Sequence, residues 1–301
     1  MSRQPRHVLN LLIAAGIAGF AAPSLLAGND PDSYNEFANA RYQGIEGASV
    51  QLEDGRWEGE PYAPGGASRP AVGLVEHFVL NGDLDGDGEI EAVVLLWQSS
   101  GGSGTFDHVA VMKKVDGDWL NVATAPLGDR VQVRGGAIND GAVRLDVVQQ
   151  GEGDAACCPS QLASRNWTLA GDRLTEQESR IDGVLSLSVL EGTEWVLTRL
   201  PQDHHLPEGA EVTVGFAEGR IAGDSGCNRF SAGLTGGEIP GEVKIGPAMG
   251  TRMACPEDQM NLEAEFLDLL GHVNQFSFVA GQLVLSGSKE TYSYALRFRS
   301  R

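Results

Sequence analysis

Asp83-Leu84-Asp85-Gly86-Asp87-Gly88-Glu89-Ile90-Glu91 runs directly into Ala92-Val93-Val94-Leu95-Leu96-Trp97, and the join between the two decides the kind of fold. Oxygen-bearing side chains recur at alternate positions around two glycines. A hard cation such as calcium takes six to eight oxygens at roughly 2.4 Å, and alternate acids on a tight loop converge on one point while glycine permits the turn. With Asp83 as the first position, Asp85 is third, Asp87 fifth, Glu89 seventh through its backbone carbonyl, and Glu91 ninth. A helix-flanked calcium hand would close with a bidentate Glu at the twelfth position, which here is Val94, and would continue as a helix. An apolar run with two β-branched residues follows instead, the mark of a strand. The reading is strand, loop, strand, with structural calcium held by Asp83, Asp85, Asp87, Glu89 and Glu91. The competing reading is a hairpin of solvated acids that binds nothing. Magnesium fits less well, because it keeps more of its water.

Outward from this loop the alternation of a half-buried strand recurs. It is seen in Val131/Val133, Val143/Leu145/Val147, Val212/Val214/Phe216 and Tyr292/Tyr294/Leu296/Phe298. Asp54-Gly55, Asp116-Gly117, Asp140-Gly141 and Glu218-Gly219 are hairpin dipeptides. One helix is expected from about Pro256, with Leu262, Phe266, Leu269 and Leu270 on one face, Glu257 and Asp258 near its positive end, and Gly271 as its stop. The Pro61 to Pro70 segment reads as a long loop. A charged stretch from Glu176 to Asp182 precedes a new strand at Thr193 to Leu197, which sets a domain boundary near residue 185. The expectation is a mainly β chain of two β-rich domains, 28–184 and 185–301.

Arg3, Arg6 and His7 precede an apolar stretch from Val8 to about Ala22 that ends in Pro23, the pattern of a secretory signal. Residues 1–27 are read as that signal, cleaved after Ala27, with an uncleaved anchor as the other option. No Cys follows the apolar stretch to carry a lipid anchor. No later stretch is long and apolar enough to span a bilayer. An exported protein, periplasmic or secreted, is expected. The net charge is −19 and becomes more negative by two when Arg3 and Arg6 are removed. Such a field repels phosphates, so nucleic acid is disfavoured as a partner. The four cysteines, 157, 158, 227 and 255, all lie beyond the signal and allow three pairings in an oxidising space.

Two short resemblances lie in the first domain. The acidic loop resembles the calcium loops of FG-GAP repeats in integrin-like propellers, which also close with an acid at the ninth position and enter a strand. A second copy is missing, so a whole propeller is not implied. The stretch from Gly82 through Gly101-Gly102-Ser103-Gly104-Thr105-Phe106, Gly128-Asp129-Arg130-Val131 and Cys157-Cys158-Pro159-Ser160 resembles a domain of secreted proteins and lipoproteins of unassigned function. The glycine-rich piece lacks the Lys-Ser/Thr ending of a phosphate loop and reads as a turn.

A longer resemblance begins near Leu190. Gly192-Thr193-Glu194-Trp195-Val196-Leu197, Gly226-Cys227-Asn228-Arg229-Phe230 with Gly233, Thr251-Arg252-Met253-Ala254-Cys255, the helix with Glu263, Phe266 and Leu267, and Leu283-Val284-Leu285 follow in order. Together they resemble the META domain of HslJ-type heat-shock envelope proteins. The resemblance implies a compact barrel-like β fold with one helix, an envelope location, and a link to stress or antibiotic tolerance, with no known catalytic residue. Cys227 and Cys255 lie on segments that flank a hairpin and precede the helix, so a bond between them would tie the start of the helix to the sheet. A reduced, buried pair is the other option. A vicinal bond is favoured for Cys157 and Cys158, since adjacent cysteines are not the C-x-x-C arrangement that lowers a thiol pKa. Asn228 reads as a turn former.

Gly223-Asp224-Ser225-Gly226 spells the nucleophile motif of trypsin-like proteases, but it sits inside the motif around Cys227, and none of His77, His108, His204, His205 and His272 has a matching context. The chain is therefore expected to be no enzyme: an envelope protein with an unknown envelope partner and a calcium-stabilised β module. The alternatives are a calcium-dependent adhesion or ligand-binding module and, third, a hydrolase.

Overall fold

The structure is a computed structural model that describes residues 31–45, 47–155, 157–201, 206–289 and 292–301. The secretory signal and the His204-His205 pair lie outside the described residues. The N-terminal elements are α1 (Pro31–Ala38), β1 (Arg41–Ile45), β2 (Ala48–Gln51), β3 (Arg56–Glu58), β4 (Ala71–Gly82), β5 (Glu91–Ser99), β6 (Phe106–Val115), β7 (Asp118–Asp129), β8 (Gln132–Asn139), β9 (Ala142–Gln149), β10 (Gln161–Ala170), β11 (Arg173–Glu176) and β12 (Arg180–Val184). After a short 3-10 turn at Leu187–Val189 come β13 (Glu194–Arg199), β14 (Thr213–Ala217), β15 (Arg220–Asp224), β16 (Arg229–Gly236), β17 (Val243–Ile245), β18 (Met249–Gly250), α2 (Glu257–Leu270), β19 (Val273–Val279), β20 (Gln282–Lys289) and β21 (Tyr292–Ser300). The chain is mainly β, as its alternating pattern requires.

The first half is layered around one antiparallel sheet of order β3-β4-β5-β6-β7. β5 runs through its middle and is buried on both faces. Ala92, Val94 and Leu96 point into a core completed by Phe37 of α1, Tyr42, Ile45, Val50 and Leu52. Val93 and Leu95 point the other way, into a core shared with Val143, Leu145, Val147 and Trp167 of the sheet β11-β10-β9-β8. A strand covered on both sides must read as a continuous apolar run, which is why Ala92–Leu96 shows no alternation. Each valine or leucine of the run contributes about 1.5–3 kcal/mol by leaving water. The small helix α1, with Pro31 at its first position, was not expected from the sequence; Phe37 gives it a place in the core.

Strand pairing changes at Val184, where β12 ends its pairing with β10 and β13 begins a new sheet. That sheet has the order β17-β16-β15-β14-β13-β21-β20-β19. It comes close to closing on itself, through the Phe276 N–H donating to Gly241 O at 2.8 Å and a bridge between Glu242 and Gln275. The helix α2 lays Leu262, Phe266, Leu269 and Leu270 into the barrel, and Phe266 meets Phe230 edge-on at 5.6 Å between ring centroids. β21 alternates as its sequence does, with Tyr294, Leu296 and Phe298 inside.

The expected turns have both central residues at positive φ, as in Asp140-Gly141 (49° and 73°) and Glu218-Gly219 (52° and 67°). This is the geometry that matches the twist of a two-residue hairpin. Ala280-Gly281 (50° and 78°) makes a further one that the sequence did not announce. Its tip enters the first half: Ala280 is buried in the core around Trp167, and Gly281 donates its N–H to Val133 O at 2.9 Å. The two β regions therefore share an interface through β19–β20 and β8.

Candidate functional site

The acidic loop joins β4 to β5 at one end of the strands of the central sheet. Its acids organise their own backbone. Asp83 accepts the N–H of Gly86 at 2.7 Å and of Gly88 at 3.1 Å, and Asp87 accepts that of Glu89 at 2.8 Å. Glu91, the first residue of β5, is fully buried and accepts the Leu84 N–H through Oε2 at 2.8 Å. Its other oxygen, Oε1, is buried without a hydrogen bond. Asp83, Asp85 and Glu91 each bring one oxygen within 4.8 Å of the others, close enough to bind one cation. Asp87 and Glu89 do not join that group. The donor set is all carboxylate, which suits a hard cation, and the buried Oε1 is the feature a bound ion would satisfy. Asp83, Asp85 and Glu91 are therefore the side chains that would hold calcium.

Lys113 of β6 reaches the same place. Its Nζ lies 2.8 Å from Asp85 Oδ2, 2.5 Å from Asp87 Oδ2 and 3.7 Å from Glu91 Oε1. Hydrogen bonds to Asp85 and Asp87 hold the ammonium well above the usual lysine range, and the Lys113 hydrogen bond holds Asp87 below the usual carboxylate range. The sheet register makes this meeting: β5 and β6 pair Ala92 with Met112, so the next step outward sets Lys113 beside Glu91.

Two stretches of the unassigned resemblance also come together, the glycine-rich loop and Gly128–Val131. The glycine-rich loop is clipped to the end of β7 by Thr105 N–H to Asp129 Oδ1 at 3.2 Å, by Arg130 N–H to Thr105 O at 2.9 Å, and by Arg130 Nη2 donating to Ser103 O. Beside that corner lies a cleft of about 430 Å³ lined by Leu127, Asp129, Gln149, Gln150, Asp154 and Arg165. Asp154 fastens the bonded Cys157–Cys158 loop, accepting from Gly151 N and from both N and Oγ of Ser160, each at 2.8 Å. These bonds hold its carboxyl below the ordinary range.

In the barrel, Asn228 is not a simple turn former. Its Oδ1 accepts Met253 N–H at 2.7 Å and Thr251 Oγ1 at 2.8 Å, while Nδ2 donates to Glu263 Oε1 at 3.2 Å and Met253 O at 3.3 Å. Glu263 Oε2 in turn accepts Asn228 N–H at 2.8 Å and the Ser225 hydroxyl at 2.7 Å. Ser225 is fully buried, and its hydroxyl also lies 2.6 Å from Asn228 O. Among the described residues, no histidine hydrogen-bonds to it. The protease-like tetrapeptide is thus part of a polar hub that joins the β15–β16 corner, the irregular segment before α2, and α2 itself. Cys227 and Cys255 are bonded beside it with Cα atoms 6.0 Å apart. Residues 188–297 are a META domain. An NMR structure of a protein from Burkholderia xenovorans is similar over 38% of this chain and 85% of its own, at 22% identity and a TM-score of 0.31. No curated protein matches.

The disulfide of the META domain closes a loop of 28 residues, which restricts the unfolded chain. The double variant Cys227→Ser/Cys255→Ser is expected to lose about 3 kcal/mol. Denaturant titration under oxidising conditions checks this, and a loss below about 1 kcal/mol would show that the bond does not constrain the unfolded ensemble.

Proposed function

We propose that this chain is an exported, non-enzymatic protein of a bacterial cell envelope. Its META domain serves stress or antibiotic tolerance through an envelope partner, and its first domain is a β module stabilised by calcium. The META domain supports the envelope and stress reading as a class. Two bonded cysteine pairs, and the lack of any helix long and apolar enough to cross a membrane among the described residues, are compatible with export. The observation that carries the non-enzymatic reading is Ser225, whose hydroxyl lies buried within a closed hydrogen-bond network.

Position supports a structural rather than a ligand-shaping role for calcium. Leu84 O of the acidic loop lies near Gly141, at the start of β9, whereas Gln149 and Gln150 at the other end of that strand line the cleft. Eight residues of strand separate them, about 25 Å. An ion in the loop cannot shape a ligand held in the cleft. Adding calcium to the mature protein at about a hundred times its dissociation constant is expected to stabilise it by about 2.7 kcal/mol. Calorimetric melting with calcium and with chelator, alongside capture of partners from envelope extract, tests both parts. An unchanged melting temperature refutes the metal role, and partner capture that needs calcium refutes the purely structural one. Activity in a broad hydrolase screen that disappears in Ser225→Ala would overturn the non-enzymatic reading.

A further inference from the structure

We propose that Lys113 is a built-in competitor for the calcium loop, its ammonium and a divalent cation being alternative occupants of one set of oxygens. The inference rests on the calcium reading above and adds to it a device that sets when the loop takes the ion. Asp85 is shared outright: it belongs to the converging group with Asp83 and Glu91, and its Oδ2 accepts Lys113 Nζ at 2.8 Å. Glu91 Oε1, buried and without a hydrogen bond, faces the same ammonium from 3.7 Å, beyond hydrogen-bond reach. The lysine therefore approaches the deepest oxygen without satisfying it. A calcium ion would draw oxygens of these same carboxylates to roughly 2.4 Å. An ammonium at its present distance from Asp85 would then stand against a double positive charge in a partly desolvated place, where like charges repel strongly. The two cations exclude each other.

The arrangement gives the loop two closed states. Without calcium, Lys113 cancels part of the repulsion among Asp85, Asp87 and Glu91; with calcium, the side chain swings out on its flexible stem. Its place on β6, opposite the first residue of β5, is fixed by sheet register, so the competitor is always at hand.

Isothermal titration of calcium into the mature wild-type protein and Lys113→Met, which keeps the stem and removes the charge, is the first arm of the test. The second uses wild-type protein alone: acetylation of Lys113 by a water-soluble acetylating reagent, read by mass spectrometry with and without calcium, with exposed Lys244 as the internal control. The expected results are at least tenfold tighter calcium binding in Lys113→Met, and severalfold faster acetylation of Lys113 on adding calcium with Lys244 unchanged. Equal affinity in the two proteins, or Lys113 reactivity that ignores calcium while calcium binds, overturns the competition and leaves the calcium reading standing. No binding to either protein at millimolar calcium overturns both, and identifies Lys113 as the loop's permanent partner. If Lys113→Met does not fold, the acetylation arm decides alone.

Discussion

Asn228→Ala lowers the free energy of unfolding by about 2–3 kcal/mol, because it removes a buried amide that partners several part-buried groups at once, and leaving a buried group unsatisfied costs about 1–3 kcal/mol. The Met253 N–H and the Thr251 hydroxyl lose their acceptor, and Glu263 Oε1 loses a donor. Alanine leaves space but no polar atom to replace any of them. Asn228→Asp separates hydrogen bonding from mere volume: it keeps an acceptor for Met253 while setting a carboxylate against Glu263. It should be at least as damaging at neutral pH and partly recover as the pH falls. Denaturant titrations of the three proteins at pH 5 and pH 8 check this. A loss under about 1 kcal/mol in Asn228→Ala would mean that water replaces the hub, and that Asn228 acts only as a turn residue.

A second large effect is expected in the first domain. Burial of Asp107 on β6, reinforced by the negative charge of Asp129 and opposed by a hydrogen bond from the Val131 N–H, pushes its carboxyl up to about 7. Between the ordinary carboxylate range and about pH 7, the folded protein holds a proton that the unfolded chain has released. Stability contributed by this group is therefore present at about pH 4 and lost as the pH rises through 7. The full rise corresponds to roughly 4 kcal/mol, less whatever solvent reaches the partly exposed carboxylate. Asp107→Asn keeps the shape and an acceptor for Val131 but has no proton to lose, so its unfolding free energy should fall much less between pH 4.5 and pH 8. Parallel falls in both proteins would show that Asp107 is neither desolvated nor coupled to Asp129 as described.

Much of the architecture was written in local pattern. The β21 alternation places Tyr294, Leu296 and Phe298 inside, and the helical spacing from Pro256 places Leu262, Phe266, Leu269 and Leu270 inside, because side-chain direction follows the period of the element whatever surrounds it. α1 escaped because eight residues carry too few turns to display a period, and its core residue, Phe37, is recruited by a sheet distant in sequence. The candidate site was legible in part. Three of its five acids, Asp83, Asp85 and Glu91, come together, while Asp87 turns to Lys113 and Glu89 stays outside the group. No spacing rule could have found Lys113, which reaches the loop from 22 residues beyond Glu91 through strand register. Asn228 was visible as a residue but not as a hub, since its partners lie 23 to 35 positions away.

By itself the sequence determined the strands, their hairpin turns, the helix of the META domain and the convergence of acids on one short loop. These depend on neighbours within a few residues, whose geometry is set by backbone torsions and side-chain period. The tertiary structure alone decided which acidic oxygens are buried, which lysine stands among them, and that the Ser225 hydroxyl is buried between Glu263 and Asn228. Those properties depend on burial and on meetings between strands far apart in the chain, and desolvation acts on a group only when other segments have covered it.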